Sequence, residues 1–274
     1  MKISNKITLF IMNEKGYSVL EKIINEIGNK IIDKVISYTD KNVVKDYYCE
    51  IKELCYKNEI KFYNKDEIFS INTKYSFAIG WRWIIKDANN LIVLHDSILP
   101  KYRGFSPLVN ALINGEKELG VTALFASSNY DEGDIIDQKT INITYPIKIA
   151  QAIKIISSLY SDIVIELCEK INDNKKIDSI KQDNNNATYS LWRDSDDYFI
   201  NWNDDATKIK RFVDAVGFPY NGAKALLDNK IVIIDDIDIE DDVIIENRDV
   251  GKVIFIKMDC LWLFVEKDWL SLKR

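Results

Sequence analysis

The sequence lacks the residues from which metal cages are built, and it has no long apolar run. Its 274 residues include four cysteines and one histidine, His95. No two of the cysteines form a CxxC pair, so a zinc site of cysteine and histidine ligands cannot be assembled, and we expect no metal. No run approaches the ~20 apolar residues of a membrane helix, and the first residues turn charged too soon for a signal peptide. These absences predict a cytoplasmic protein that binds no membrane.

The sequence also lacks a net positive charge. The formal net charge is −6, and 47% of the residues are hydrophobic. The broad positive field that attracts a nucleic-acid backbone is therefore missing, which disfavours nucleic acid as a partner. The hydrophobic content is sufficient for a buried core, so we expect one large domain or two smaller ones.

Short β-branched runs alternate with longer amphipathic stretches over the first two thirds of the chain. This alternation predicts an α/β fold with a mostly parallel, Rossmann-like sheet, helices on both faces, and ligands beyond the carboxyl ends of the strands. We expect a catalytic domain at 1–172, a polar linker at 173–188 and a small β-rich C-terminal domain at 189–274. The predicted strands lie at 7–12, 31–38, 60–63, 75–80, 91–94, 121–127, 138–145, 230–239, 242–248, 251–258 and 260–267, and the predicted helices at 16–27, 43–55, 147–171 and 206–216.

Two loops carry the residues best suited to chemistry. His95 directly follows an apolar strand and is either a packed core residue or a base that accepts a proton near pH 7. Asp131, in the loop after a later strand, is a turn residue with Gly133 supplying positive φ, or a carboxylate that fixes the histidine tautomer, or both. A hydrolase that uses Ser97 with these two residues is a weaker alternative, because no GxSxG elbow is present.

Residues 95–136, HDSILPKYRGFSPLVNALINGEKELGVTALFASSNYDEGDII, closely resemble the signature of N10-formyltetrahydrofolate-dependent formyltransferases. The segments at 189–202, 211–223 and 245–255 resemble the branch of that family that formylates nucleotide-linked amino sugars. The resemblance implies formyl transfer from N10-formyltetrahydrofolate to a dTDP-linked amino-deoxyhexose with its amine at carbon 3 or 4, and dTDP is favoured over UDP. It also implies a homodimer, and a role in surface polysaccharide synthesis such as that of lipopolysaccharide O-antigen.

The resemblance assigns roles to the two loop residues. His95 matches the base that takes a proton from the attacking amine, and Asp131 matches the acid that orients it and relays a proton to the departing folate nitrogen. The family asparagine two places before the histidine is replaced here by Val93. Loss of one donor to an oxyanion typically costs ~10²–10³ in rate. Three alternatives stay open: a weakened enzyme, another donor such as water, a backbone N–H or Asn129, or a protein that only binds folate and nucleotide sugar.

The segment AIGWRWII, residues 78–85, resembles the folate-contacting part of the family. By that match, Trp83, Ile84 and Ile85 line the pterin pocket. Trp81 and Trp83 would lie on opposite sides of an extended backbone, so at most one contacts a given ligand. Arg82 is either a ligand for an anionic group or a solvated side chain.

A small cationic site is predicted beside the histidine loop. Lys101 and Arg103, with Tyr102 between them, suit the diphosphate of a nucleotide. The alternative is a surface loop paired with Asp96.

Aromatic side chains near a proline and two glycines are candidates for the nucleotide base. By the resemblance Tyr220 is the first candidate for stacking on a pyrimidine, and Phe218 is displayed in the same segment. Trp192, earlier in the chain, is a weaker candidate for the base or a residue packed within the small domain. A methionyl-tRNA formyltransferase uses the same chemistry and is a less favoured alternative, because the C-terminal residues lack a basic cluster.

Overall fold

The computed structural model describes residues 4–86, 88–227, 229–241, 246, 249–257, 260–265 and 269–272. The helices are α1 Asn13–Glu26, α2 Tyr48–Lys57, α3 Pro107–Asn114, α4 Ile149–Asn172 and α5 Ala206–Val216. The strands are β1 Ser4–Ile11, β2 Ile32–Ser37, β3 Lys61–Asn64, β4 Thr73–Ile79, β5 Leu91–His95, β6 Arg103–Gly104, β7 Glu118–Phe125, β8 Ile135–Asn142, β9 Tyr189–Ser190, β10 Ala223–Leu227, β11 Lys230–Ile234, β12 Ile237–Glu240, β13 Val253–Lys257, β14 Cys260–Phe264 and β15 Trp269–Leu272.

A seven-stranded sheet in the order β3-β2-β1-β4-β5-β7-β8 forms the first domain. The strands from β3 to β5 pair in parallel, whereas β7 is antiparallel to both β5 and β8. The prediction of a mostly parallel, Rossmann-like α/β sheet is confirmed. Helix α1 packs against α4, and its apolar residues Val19, Leu20 and Ile23 are fully buried.

The other side of β1 faces aromatic side chains from loops. The Phe10 ring lies 6.0 Å from that of Phe69 and 5.3 Å from that of Trp81, centroid to centroid. The segment after β4 is therefore held against the sheet, at the edge where β4 and β5 end.

The antiparallel pairing of β7 changes how the second loop reaches the first. Phe125, at the end of β7, pairs with Ile92 near the start of β5. The loop at 126–134 must therefore fold back along β5 to bring Asp131 to His95. Sequence periodicity predicted two strand ends at one edge, but strand direction depends on tertiary pairing.

The segment predicted as a linker is packed against the first domain. Ile180 forms a β-bridge with Ile135 of β8, and β9 pairs in parallel with β6.

Helix α5 packs against α3, where the Arg211 Nε donates a hydrogen bond to the carbonyl of Ile113 at 2.9 Å.

The remaining described strands form small sheets, as expected for a β-rich second unit. The predicted strand at 230–239 is divided into β11, in a hairpin with β10, and β12, in an antiparallel sheet ordered β12-β15-β14-β13. The predicted strand at 242–248 lies outside the described residues apart from Glu246. The domain limits stay a prediction.

Within the described ranges, no helix combines the length and apolar character needed to cross a membrane. Over the same residues, no three His, Cys, Asp or Glu side chains are grouped to hold a metal ion. Cys55 and Cys168 are buried, and burial raises the pKa of each thiol to about 12.

Candidate active site

His95 is the last residue of β5, and its ring is almost fully buried. Nε2 lies 2.8 Å from the carbonyl oxygen of Tyr102. A carbonyl only accepts hydrogen bonds, so Nε2 carries a proton, and Nδ1 is the remaining ring nitrogen. Nδ1 lies 3.5 Å from Oδ1 of Asp131. The free nitrogen therefore faces a carboxylate that would stabilise the ring once it takes up a second proton.

Asp131 is fixed by contacts on both its side chain and its backbone. Its Oδ2 accepts a hydrogen bond from the N–H of Gly104 at 2.9 Å. Its own backbone has φ 57°, in the left-handed region. The Nε2 of Gln182 donates to the carbonyls of Asp131 and Gly133, at 2.7 and 2.8 Å. These bonds aim Oδ1 at the histidine.

Gly133 has a different role from the one predicted. The left-handed backbone belongs to Asp131, and Gly133 does not adopt positive φ. A Cβ at Gly133 would lie 1.7 Å from the carbonyl oxygen of Phe125. The loop folds back so closely over the end of β7 that only glycine fits.

Arg103 supports the Asp131 loop and does not face the cavity, contrary to the prediction that it binds a diphosphate. The side chain is 1% exposed. Its Nε and Nη2 donate to Oε1 of Gln182 at 3.0 and 2.7 Å, and Nη2 also donates to Oδ1 of Asn184 at 2.8 Å. The guanidinium thus anchors the same glutamine that holds the loop, and its donors are already used.

The neighbouring residues of the predicted cationic site also lie outside the cavity. Lys101 is exposed, and the Tyr102 hydroxyl donates to Oε1 of Glu116 at 2.7 Å. Ser97 donates its hydroxyl to the carbonyl of Lys101 at 2.7 Å, which disfavours it as a nucleophile.

Asp96 takes part in a network of three side chains on the wall of the cavity. Its carboxylate accepts hydrogen bonds from the Lys15 ammonium and the Tyr160 hydroxyl. Burial by itself would raise the pKa of Asp96, but Lys15 and Tyr160 outweigh burial and hold the pKa below its ordinary value. The alternative pairing of Asp96 with the Lys101 loop is therefore wrong.

A cavity of about 510 Å³ lies between the sheet edge and the second unit. The predicted residues that line it are Val93, His95, Asp131, Arg82, Trp83, Ile84, Ile85, Trp192 and Tyr220. Phe218 does not line it and is 60% exposed. Burial raises the pKa of Tyr220, so its hydroxyl remains protonated.

Trp81 and Trp83 both line this cavity, so the expectation that they lie on opposite sides of an extended backbone is wrong. Their ring centroids are 5.2 Å apart, with the planes at 72°. Gly80, at φ 61°, ends the extended chain after β4, and the following residues are irregular. The two-residue alternation of a strand therefore does not apply.

The charge of Arg82 is already neutralised. Its guanidinium pairs with the buried carboxylate of Asp40, which also accepts from Nδ2 of Asn13 at 3.1 Å. The Arg82 guanidinium carbon lies 5.8 Å from the centroid of the Trp192 ring. Arg82 thus contacts residues on both sides of the cavity. Because Asp40 neutralises its charge, Arg82 has no free positive charge for an anionic ligand.

Val93 lies on the cavity wall, between Ala78 of β4 and Leu124 of β7. It projects from the same side of β5 as His95, because alternate residues of a strand share a face. Asn129, the alternative donor, gives its Nδ2 hydrogen to Oε2 of Glu132 at 2.9 Å.

Sequence reasoning missed several residues that shape the site, namely Lys15, Tyr160, Gln182 and Arg193. Tyr160 resembles any apolar position of α4, and Gln182 lies in a polar segment without periodicity. Their partners are distant in the sequence, so no local pattern indicates them.

Two family models match the chain. Residues 53–153 match "Formyl transferase", and residues 193–274 match "Formyl transferase, C-terminal domain". Among curated relatives, the methionyl-tRNA formyltransferase of Thermotoga neapolitana is 32% identical over 203 residues, 74% of this chain and 63% of that protein. The chain spans about half the length of the first curated relatives it matches.

Solved structures match over nearly the whole chain. The crystal structure of WlaRD, a sugar 3N-formyl transferase in the presence of dTDP and 5-N-formyl-THF, has a TM-score of 0.73 and 21% identity, and the match covers 100% of this chain and 98% of that one. The N-formyltransferase from Helicobacter canadensis, in complex with folinic acid and dTDP-3-aminofucose, gives a TM-score of 0.69 and 18% identity, with 98% of each chain covered. At these identities the likeness shows the fold alone.

Proposed function

Because the chain carries formyltransferase family domains, we propose that it is an N-formyltransferase that moves a formyl group from N10-formyltetrahydrofolate to the amine of a dTDP-linked amino-deoxy sugar. The observation that carries this proposal is the His95–Asp131 pair, 3.5 Å apart, on the wall of a cavity between the two units. The full-length likeness to sugar N-formyltransferases supports the sugar substrate.

The residues of the pair divide the proton transfer between them. The folate supplies the formyl carbon, and the sugar amine attacks it. As the new C–N bond forms, His95 accepts the amine proton at Nδ1, and Asp131 stabilises the imidazolium. The proton is then passed toward the folate nitrogen, which leaves with the electron pair of the broken C–N bond. Transfer of this kind contributes about 10²–10⁴-fold.

The wall formed by Trp83, Ile84 and Ile85 fits the flat pterin ring of the folate. Trp83 is 38% exposed and Ile84 is 73% exposed, so apolar surface is open toward the cavity. Burial of such surface by a ring favours binding. Tyr220 and the half-exposed Trp192, on the second unit, fit the nucleotide base.

A transfer assay tests the proposal directly. The protein is incubated with N10-formyltetrahydrofolate and a panel of dTDP- and UDP-linked 3-amino and 4-amino sugars, and mass spectrometry detects the product heavier by one formyl group. We expect formylation of a dTDP-linked sugar. Measurable ligand binding without any product would instead favour the non-catalytic binder suggested by Val93.

Methionyl-tRNA is a second candidate acceptor, because the curated relatives are named methionyl-tRNA formyltransferase. The same assay with methionyl-tRNA separates the two. Formylation of the tRNA alone, with affinity that falls steeply as salt rises, would contradict the sugar proposal.

Val93→Asn is expected to raise kcat by up to about 10²-fold, since one oxyanion donor typically contributes that much. Steady-state kinetics with the preferred sugar measures the change, and Val93→Ala, which adds no donor, is the matched control. An unchanged or lower rate for Val93→Asn would show that another group already binds the oxyanion.

Gln182→Glu is expected to lower kcat more than it changes either KM. The variant keeps an oxygen for Arg103 but has no hydrogen to donate to the carbonyls of Asp131 and Gly133. Gln182→Ala additionally leaves buried donors of Arg103 unpaired, which costs about 1–3 kcal/mol of unfolding free energy. Wild-type turnover in both variants would show that this glutamine does not position Asp131.

The homodimer and the role in lipopolysaccharide or O-antigen synthesis stay predictions from the resemblance, and the cytoplasmic location stays a prediction from the amino-acid composition. A sedimentation experiment tests the first of them.

A further inference from the structure

The cavity contains several cationic side chains, and two of them are neutralised in place. Lys15 pairs with Asp96, and Arg82 pairs with Asp40. Both carboxylates are well buried, with side chains 13% and 2% exposed. An incoming anion would have to displace a buried carboxylate, which makes these two cations poor anion ligands.

Lys45 lies at the outer rim of the cavity. Its Nζ is 3.5 Å from Oε1 of Glu50 and 4.3 Å from the centroid of the Tyr47 ring. Its side chain is 48% exposed, so water screens the charge. A contact from Lys45 to an anion would therefore contribute little.

Arg193 differs from these three. It is half-buried on the cavity wall, and within the described part of the chain its guanidinium forms no ion pair. The nearby Asp197 carboxylate accepts instead from the backbone N–H of Asp194, at 2.9 Å. Burial lowers the pKa of Arg193 despite the attraction of Asp197, as expected for a partly desolvated cation without a close partner.

The direction of the Arg193 side chain is fixed from one end. Nε donates to Oδ1 of Asn110 at 2.8 Å, and Asn110 lies on α3 of the first domain. Asn110 is itself held through its Nδ2, which donates to the carbonyl of Ser106 at 3.0 Å. The terminal nitrogens of Arg193 have no described partner and form a preorganised fork, the geometry that suits phosphate oxygens.

We propose that Arg193 binds the diphosphate of the nucleotide-linked sugar through its two terminal guanidinium nitrogens. The proposal rests on the proposed function. Trp192, the preceding residue, is 47% exposed with its ring edge-on to Phe105, at 5.2 Å between centroids. Base, diphosphate and sugar would then extend across the cavity from the second unit toward His95. This assigns to Arg193 the role predicted from sequence for Lys101 and Arg103.

The assignment is tested by measuring, with titration calorimetry, the dissociation constants of dTDP and of thymidine, which has no phosphate. We expect Arg193→Gln to weaken dTDP binding by about 10- to 100-fold, the usual loss for a charged hydrogen-bonded contact, and to leave thymidine binding unchanged. The dTDP affinity of Arg193→Lys should lie between that of the wild type and that of Arg193→Gln, because lysine keeps the charge but lacks the planar guanidinium. Lys101→Gln, the matched control beside the histidine loop, should bind dTDP like the wild type.

Kinetics supply the second measurement. In Arg193→Gln the KM for the nucleotide sugar should rise, while the KM for N10-formyltetrahydrofolate and the unfolding temperature stay near wild-type values. Wild-type dTDP affinity in Arg193→Gln would overturn the proposal, as would equal losses for dTDP and thymidine or a selective loss in Lys101→Gln. If dTDP binds in an Arg193-dependent way but no formyl group is transferred, the phosphate site stands and the proposed function fails.

Discussion

His95→Gln is expected to lower kcat by about 10²–10⁴-fold, the usual contribution of a positioned general base. A glutamine amide can still donate to the carbonyl of Tyr102, so the loop geometry is kept while the proton acceptor facing Asp131 is lost. Both KM values should change little, since the ring is not the main binding surface of either substrate. Steady-state and single-turnover rates of formyl transfer measure the effect.

Ser97→Ala is the matched control, two residues further along the same loop. Its hydroxyl donates to the carbonyl of Lys101 and does not line the cavity, so kcat should stay within a few-fold of wild type. Loss of formyl transfer in Ser97→Ala with retention in His95→Gln would contradict the role of His95 as the base and favour Ser97 as a nucleophile.

Lys15→Met is expected to lower the free energy of unfolding by about 3–5 kcal/mol at pH 7, because removal of one member of a buried ion pair leaves the other charge without its partner. The affected charge is Asp96, whose side chain is 13% exposed and retains only the Tyr160 hydroxyl of its two side-chain partners. Urea unfolding of the two proteins measures the difference. The double variant Lys15→Met/Asp96→Asn should recover most of the loss, since no buried charge remains.

The same experiment has an expected pH dependence. The pKa of Asp96 is held below its ordinary value in the folded protein, so its contribution to stability is fully present above the unfolded pKa of about 4. That contribution is lost as the pH falls through the folded pKa. The difference between wild type and Lys15→Met should therefore be largest near pH 7 and decrease below about pH 4. A constant difference down to pH 3 would show that Lys15 acts through packing alone.

The outline of the site could be predicted because it depends on local patterns. The alternation of β-branched runs and amphipathic stretches predicts the sheet, and a strand that ends at His95 puts the imidazole at its edge. The same kind of pattern places Asp131 in a loop after a later strand. The structure brings these two side chains within 3.5 Å of each other, although β7 runs in the direction opposite to that expected of a parallel neighbour.

The errors arose where a side chain's partners are far away in the chain. Lys101 and Arg103 have the same local signal of positive charge beside a histidine loop, yet Arg103 is buried against Gln182, and Lys101 is exposed outside the cavity. Strand alternation predicts opposite directions for Trp81 and Trp83, but the strand ends before Gly80.

The amino-acid sequence by itself determined the α/β sheet, the β-rich second unit and the two loops that supply His95 and Asp131, because secondary structure and strand ends follow from periodicity and turn residues. Only the tertiary structure decided which cations are neutralised, which glutamine holds the Asp131 loop, and that Arg193 has no ion-pair partner among the residues that the structure describes. The physical reason is that charge pairing and burial depend on groups brought together by folding, and a linear pattern carries no information about those distances.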